Sequence, residues 1–100
     1  MKYIVIGNQT IMPTSHTELA GVLQSAADWI DQKLADGTLE AAYSFPAGGG
    51  LLIFNAGSHE ELMELLMDFP PRPLSDFEIL DAIDYRTATK MVIDRIKRLD

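Results

Sequence analysis

The sequence predicts a single α+β domain, and three observations predict it. Short β-branched and aromatic runs alternate with longer stretches of helical periodicity, in the order strand, helix, strand, strand, helix, strand, helix. Two of the helical stretches open on one signal, Ser15-His16-Thr17-Glu18 and Ser58-His59-Glu60-Glu61, a serine followed three residues later by glutamate. The breaks between stretches fall on glycine and proline, at Gly37, at Pro46 to Gly50 and at Phe69 to Pro73. At 100 residues the chain suits one core and is too short for two, so residues 1–100 are read as one domain.

Each element has a local reason. Tyr3 to Ile6 is nearly all apolar and suits an inner strand, followed by a polar loop that Pro13 closes. After the Ser15 cap, Leu19, Val22, Leu23, Ala26, Ile30 and Leu34 recur at three- and four-residue steps and mark one stripe of a helix. Gly37 is placed to end that helix in a left-handed conformation. Thr38 to Phe45 reads as a strand, with Leu39, Ala41, Tyr43 and Phe45 on one face and Glu40, Ala42 and Ser44 on the other. Pro46-Ala47-Gly48-Gly49-Gly50 turns the chain into Leu51 to Phe54, making a hairpin. The second capped helix carries Leu62, Leu65 and Leu66, with Met63 and Met67 beside them, and the prolines after Phe69 stop it. Asp76 to Ile83 alternates as a strand, with Phe77, Ile79 and Asp81 on one side. Thr87 to Leu99 is helical, its stripe made by Ala88, Met91, Val92 and Ile96. Met63, Met67 and Met91 are read as core.

The order β-α-β-β-α-β plus a C-terminal helix is the split βαβ, or ferredoxin-like, plan on an antiparallel four-stranded sheet. Both helices then lie on one face, and the other face stays apolar and uncovered. Two sheets pairing face to face in a homodimer, or a higher homo-oligomer, are expected for that reason. Fifteen acids against eight bases give a formal charge of −7, with five of the bases in the last helical segment. That balance argues against nucleic acid and against an anionic membrane surface as partners. The apolar runs fall short of the ~20 residues a spanning helix needs, and MKYIVIG is too brief for a signal peptide. With no cysteine in the chain, disulfides, thiolate zinc sites and a cysteine nucleophile are excluded, and a soluble cytoplasmic protein is expected.

The stretch from Met67 to Asp81, MDFPPRPLSDFEILD, resembles the proline turn and acidic strand of the muconolactone isomerase family, a branch of the dimeric α/β-barrel proteins. Gly37-Thr38 after a helix ending in Gln-Lys-Leu is similar too, as is Ile53-Phe54-Asn55 followed by Ser58 and Glu61-Leu62. The resemblance spans roughly residues 20 to 83. It implies a small enzyme with no cofactor, moving a proton within an unsaturated lactone or a related carbonyl compound; no metal is expected, because the two histidines lack metal-ligand spacing and the chain has no cysteine. Two regions depart from the family. Gln24 to Asp28 keeps one acid and no lysine, and Leu39 to Ser44 lacks the tryptophan and arginine expected there. A small-molecule-binding or assembly module on the same fold, without catalysis, is the alternative that these departures favour.

Such chemistry needs an acid/base group and a donor to the developing oxyanion. Asp28, the one acid in the matching part of helix one, is a candidate base, or else a carboxylate on the wet face. Its neighbour Trp29 is taken with it as part of the substrate site. His16 is a candidate base with a suitable free pKa, or a solvated helix-start residue. Tyr43 is a candidate donor to a carbonyl oxygen, or a core tyrosine. Arg72, set between two prolines, is a candidate for binding a carboxylate, for pairing across a dimer interface, or for plain exposure. His59 is read as a capping-box residue. Asp76, Glu78, Asp81 and Asp84 read as a polar sheet edge. Gly48 to Gly50 lacks the Lys-Ser/Thr and the helix that would follow in a phosphate loop.

Overall fold

The apolar run Tyr3 to Ile6 becomes the strand on which the rest of the domain is hung. A computed structural model describes residues 1–99 of the chain. In it this strand, β1 (Lys2–Gln9), pairs antiparallel on both sides. One neighbour is β3 (Gly50–Asn55), from Lys2 opposite Asn55 to Gly7 opposite Gly50. The other is β4 (Ser75–Ala82), from Lys2 opposite Ala82 to Gln9 opposite Ser75. The strand outruns its apolar segment because β4 goes on offering backbone partners to Asn8 and Gln9. β2 (Leu39–Ser44) closes the sheet in the order β2-β3-β1-β4. With α1 (His16–Ala35) and α2 (His59–Met67) on one face, this is the ferredoxin-like arrangement, followed by α3 (Tyr85–Lys97).

Both serine caps form. Ser15 Oγ accepts from the Glu18 amide at 3.0 Å and Ser58 Oγ from the Glu61 amide at 3.1 Å. The glutamates reach one residue further back than the usual box: Glu61 Oε2 accepts from the Gly57 amide at 2.7 Å, and Glu18 Oε2 from the Thr14 hydroxyl at 3.3 Å. Gly37 ends α1 with φ +82°, the left-handed conformation its position demands. Asp84 caps α3, accepting from the Arg86 and Thr87 amides, so the helix starts two residues before Thr87.

The core is one cluster of Tyr3, Val5, Leu39, Leu52, Phe54, Ala56, Leu62 and Leu66, closed by Trp29, Ile30, Leu65, Phe69 and Phe77. Register sorts the residues between faces. Tyr3 opposes Phe54 and Asp81, and Val5 opposes Leu52 and Ile79, all on the helix side. Ile4, Ile6, Leu51, Ile53 and Leu80 fall on the open side. In β2 the expected alternation breaks. Leu39 pairs with Phe54, but Ala41 already pairs with Ile53, leaving Glu40 as the extra residue of a β-bulge. Leu39 and Ala42 therefore share the helix side, while Ala41 and Tyr43 turn to the open side. Glu40 reaches Lys2 Nζ at 2.9 Å. A bulge moves every later side chain to the opposite face, and Phe45 lies beyond the strand altogether.

The methionine reading is corrected as well. Met63, Met67 and Met91 are all more than half exposed. No residue of α3 is buried, and Met91, Val92, Ile96 and Leu99 lie open to solvent.

Candidate functional site

Small residues leave a hollow between α1 and the sheet. The lining has Ala26 and Ala27 on the helix, Ala42 on β2, and Gly7, Gly49 and Gly50 at the sheet end, where ordinary side chains would otherwise fill the space. Close approach constrains all three of these glycines, and a Cβ on Gly50 would collide with the Tyr43 carbonyl. A Cβ on Gly7 would press on the Phe77 ring at 3.1 Å. Gly49 has φ +79°, and a Cβ there would collide with the Gly7 carbonyl. The result is a cleft of about 520 Å³ whose apolar walls come from Val5, Leu23, Ile30, Leu34, Leu52, Phe69 and Phe77. Its size is ordinary for a small-molecule pocket, about 300–1,000 Å³.

The polar groups of the cleft are few. Gln9, Asp31, Ser44 and Ser75 line it, with Pro71 at its rim. Asp31 is the acidic side chain among them, on the α1 flank that also carries Ala27 and Leu34, one helical turn beyond Asp28. The Ser75 hydroxyl donates to the Pro71 carbonyl at 2.9 Å, which ties the proline turn to the start of β4 and fixes that edge of the cleft.

The structure separates the residues singled out in the sequence. Asp28 is exposed outside the lining and accepts from Gln24 Nε2 at 2.9 Å. His16 is the exposed first residue of α1, also outside the lining. Trp29 points to the other flank of α1, edge-on to Phe54 and Phe69 at 6.2 and 5.2 Å between ring centres, with Lys33 Nζ 5.6 Å from its ring centre. Tyr43 touches the cleft where its carbonyl passes Gly50, while its ring is 65% exposed and, by its pairing with Leu51, on the open side. Arg72 is exposed in a short 3₁₀ turn (Arg72–Leu74), with its amide donating to the Phe69 carbonyl at 3.0 Å. Helical periodicity puts Asp31 off the apolar stripe, so the sequence pattern does not single it out. The signal that could have found it is its i, i+4 step from Ala27 and its place beside Ile30 and Leu34.

A second recess, about 340 Å³, lies at the opposite end of β1 among Met1, Lys2, Tyr3, His59, Asp81, Ala82 and Ile83. His59 Nε2 is 3.5 Å from Asp81 Oδ1, and the His59 ring leans on Tyr3 at 5.3 Å. Burial pushes the Tyr3 phenol above its ordinary pKa, and the nearby carboxylates of Asp81, Glu60 and Glu61 push it the same way. At the end of α1, Asp36 is held below the usual carboxylate range by hydrogen bonding from Thr38, whose amide donates to Oδ1 at 2.9 Å, and by Lys33. Among the described residues no three His, Asp or Glu side chains converge as a metal set, and no helix is long and apolar enough to cross a membrane.

Fold and cleft together define a small ferredoxin-like α+β domain with an apolar, sparsely polar hollow between helix one and the sheet. Within that class the chain has a muconolactone isomerase-like fold. A solved structure of muconolactone isomerase superposes with a TM-score of 0.76 at 16% identity, covering 84% of this chain and 90% of that one. The 5-chloro-2-hydroxyhydroquinone dehydrochlorinase of Burkholderia phenoliruptrix AC1100, solved with 2,5-dihydroxybenzoquinone, superposes with a TM-score of 0.65 at 11% identity, covering 83% of this chain and 94% of that one. No family model and no curated protein matches the chain.

Proposed function

We propose that the cleft takes a compact, unsaturated cyclic carbonyl compound, such as a lactone, and that the chemistry on it is a proton shift without a cofactor. The cleft itself carries the reading: an apolar hollow of about 520 Å³ with one carboxylate, Asp31, on its wall. Asp31 takes a proton from the carbon next to the carbonyl, the electron pair moves into an enolate, and the proton returns at the far carbon of the conjugated system. Gln9, Ser44 and Ser75 are the groups that can donate to the enolate oxygen. Nothing is oxidised or reduced. The likeness in fold to an isomerase and to a dehydrochlorinase solved with a quinone-type ring supports the substrate class.

The roles expected from the sequence enter the same test: His16 and Asp28 as bases, Tyr43 as the donor to the carbonyl oxygen, and Arg72 and Trp29 as binding groups. The assay is deuterium uptake from solvent into a simple butenolide, followed by NMR. Asp31→Asn is expected to lower the exchange rate by at least 100-fold, while Asp28→Asn and His16→Ala leave it unchanged. Loss of exchange in Asp28→Asn with Asp31→Asn unaffected would move the base back one turn.

The exposure of Asp31 favours a second reading, a binding module without catalysis. It predicts that the butenolide shifts cleft resonances of Leu34 and Phe77 and yet gains no deuterium above the uncatalysed rate. The proposal also includes a cytoplasmic homodimer with open sheet faces paired. Ile4, Ile6, Leu51, Ile53 and Leu80 make that face apolar, and pairing would remove them from water. Light scattering of Ile53→Lys checks it, with a shift to monomer expected.

A further inference from the structure

The cleft between α1 and the sheet holds a negative charge with no positive one to match it. Among the described residues that line it, Asp31 is the sole ionised side chain, and no lysine, arginine or histidine joins it. The eight bases of the chain all lie elsewhere. Lys2 sits at the far end of β1, where Glu40 holds it at 2.9 Å, and roughly 16 Å of strand separates it from Gly7. Lys33 lies over the Trp29 ring, on the other flank of α1. Arg72 stands one residue past Pro71, exposed and outside the lining. The remaining five follow β4 in residues 86–98, beyond the strand end that pairs with Lys2.

The walls supply little that could replace a cation. Besides Asp31, the polar side chains of the lining are Gln9, Ser44 and Ser75, and Tyr43 reaches it by its carbonyl, itself an acceptor. Ser75 gives its hydroxyl proton to the Pro71 carbonyl at 2.9 Å, and Gln9 gives an amide hydrogen to the Ile11 carbonyl at 3.1 Å. That leaves the Ser44 hydroxyl and the second Gln9 hydrogen as side-chain donors for a ligand. Such a supply suits one carbonyl oxygen. An ionised carboxylate has about four acceptor sites and needs a positive partner when it leaves water. The rest of the wall, with Val5, Leu23, Ile30, Leu34 and Phe77, solvates no charge.

We infer that the cleft selects by charge: it takes a neutral lactone or related cyclic carbonyl compound and rejects the same ring carrying a carboxylate. This selection rests on the cleft being the ligand site proposed above, and it holds whether the ligand is converted or only bound. Asp31 enforces it by repelling an anion, and the apolar wall by denying that anion the hydration it loses. A neutral ring also suits the proton shift. As Asp31 takes the proton, its own charge is neutralised and one negative charge appears on the enolate, so the site carries a single negative charge throughout. An anionic ring would double it, with no cation on the wall to offset the second charge.

A matched pair of ligands tests the selection: a butenolide 3-carboxamide and the butenolide 3-carboxylate, alike in shape and different by one charge. Each is titrated near neutral pH into the full-length protein, and binding is read from the NMR resonances of Leu34 and Phe77. The carboxamide is expected to bind at least ~30-fold more tightly than the carboxylate. Asp31→Lys is expected to invert that order, and Asp31→Asn to weaken the preference without inverting it. Circular dichroism confirms that both variants are folded. Three outcomes overturn the inference. A carboxylate that binds the wild type as tightly as the carboxamide rejects the selection and keeps the cleft as a ligand site; loss of that binding in Arg72→Ala would name the cation responsible. A preference for the carboxamide that Asp31→Lys leaves unchanged rejects the charge on the wall as its source. Shifts with neither ligand reject the ligand site itself, and the selection with it.

Discussion

Replacing Trp29 distinguishes a core residue from a ligand-binding one. Its indole closes the contact between α1, α2 and the sheet, edge-on to Phe54 and Phe69, with Lys33 lying over it. Truncating a large aromatic to alanine in a core costs about 3–5 kcal/mol. Trp29 is only half-buried, which places Trp29→Ala near the lower end, about 3 kcal/mol. Each aromatic pair accounts for about 0.5–1.5 kcal/mol of that loss, and the lysine contact, at an exposed site, for about 0.5–1 kcal/mol. For a domain of this size each kcal/mol moves Tm by roughly 4–8 °C, so a drop of about 12–24 °C is expected. Trp29→Phe keeps the edge contacts in part and is expected to lose about half as much. Urea unfolding followed by circular dichroism measures both variants, and ligand titration of the folded proteins at low temperature measures the cleft. The reasoning is refuted if Trp29→Ala costs less than about 1 kcal/mol while abolishing ligand binding, for then the indole serves the cleft and not the core.

Two further perturbations test the frame of the site. Gly49→Ala forces a left-handed φ on alanine and drives its Cβ against the Gly7 carbonyl; a loss of more than about 1 kcal/mol is expected in the same unfolding assay, with the cleft end disturbed. Tyr3 is held protonated in the fold by burial and its acidic neighbours. The stabilisation this confers is fully present below the unfolded tyrosine pKa of about 10 and disappears as pH rises through the higher folded value. Stability should therefore fall in alkali above about pH 10, and Tyr3→Phe, compared with wild type across that range, should remove that part of the fall.

Local rules determined the elements of this protein. Ser15 and Ser58 started helices, Gly37 ended one, and the prolines after Phe69 held α2 to nine residues, because capping, left-handed φ and a missing amide act within a few residues. The order of those elements, with their apolar patterns, was enough for the ferredoxin-like plan. What depends on registry across the sheet was beyond local rules. The bulge at Glu40 turned Tyr43 to the open side, since one extra residue in a strand reverses everything after it. The flank of α1 that faces the cleft was decided by where Trp29 found its partners, which put Asp31 on the hollow and Asp28 outside it. Met63, Met67 and Met91 were apolar enough to be core, yet burial is a property of what lies opposite, and the packing leaves each of them more than half exposed. The sequence by itself determined the fold of this chain; tertiary packing alone decided which side chains meet in its cleft and which faces remain for a second copy.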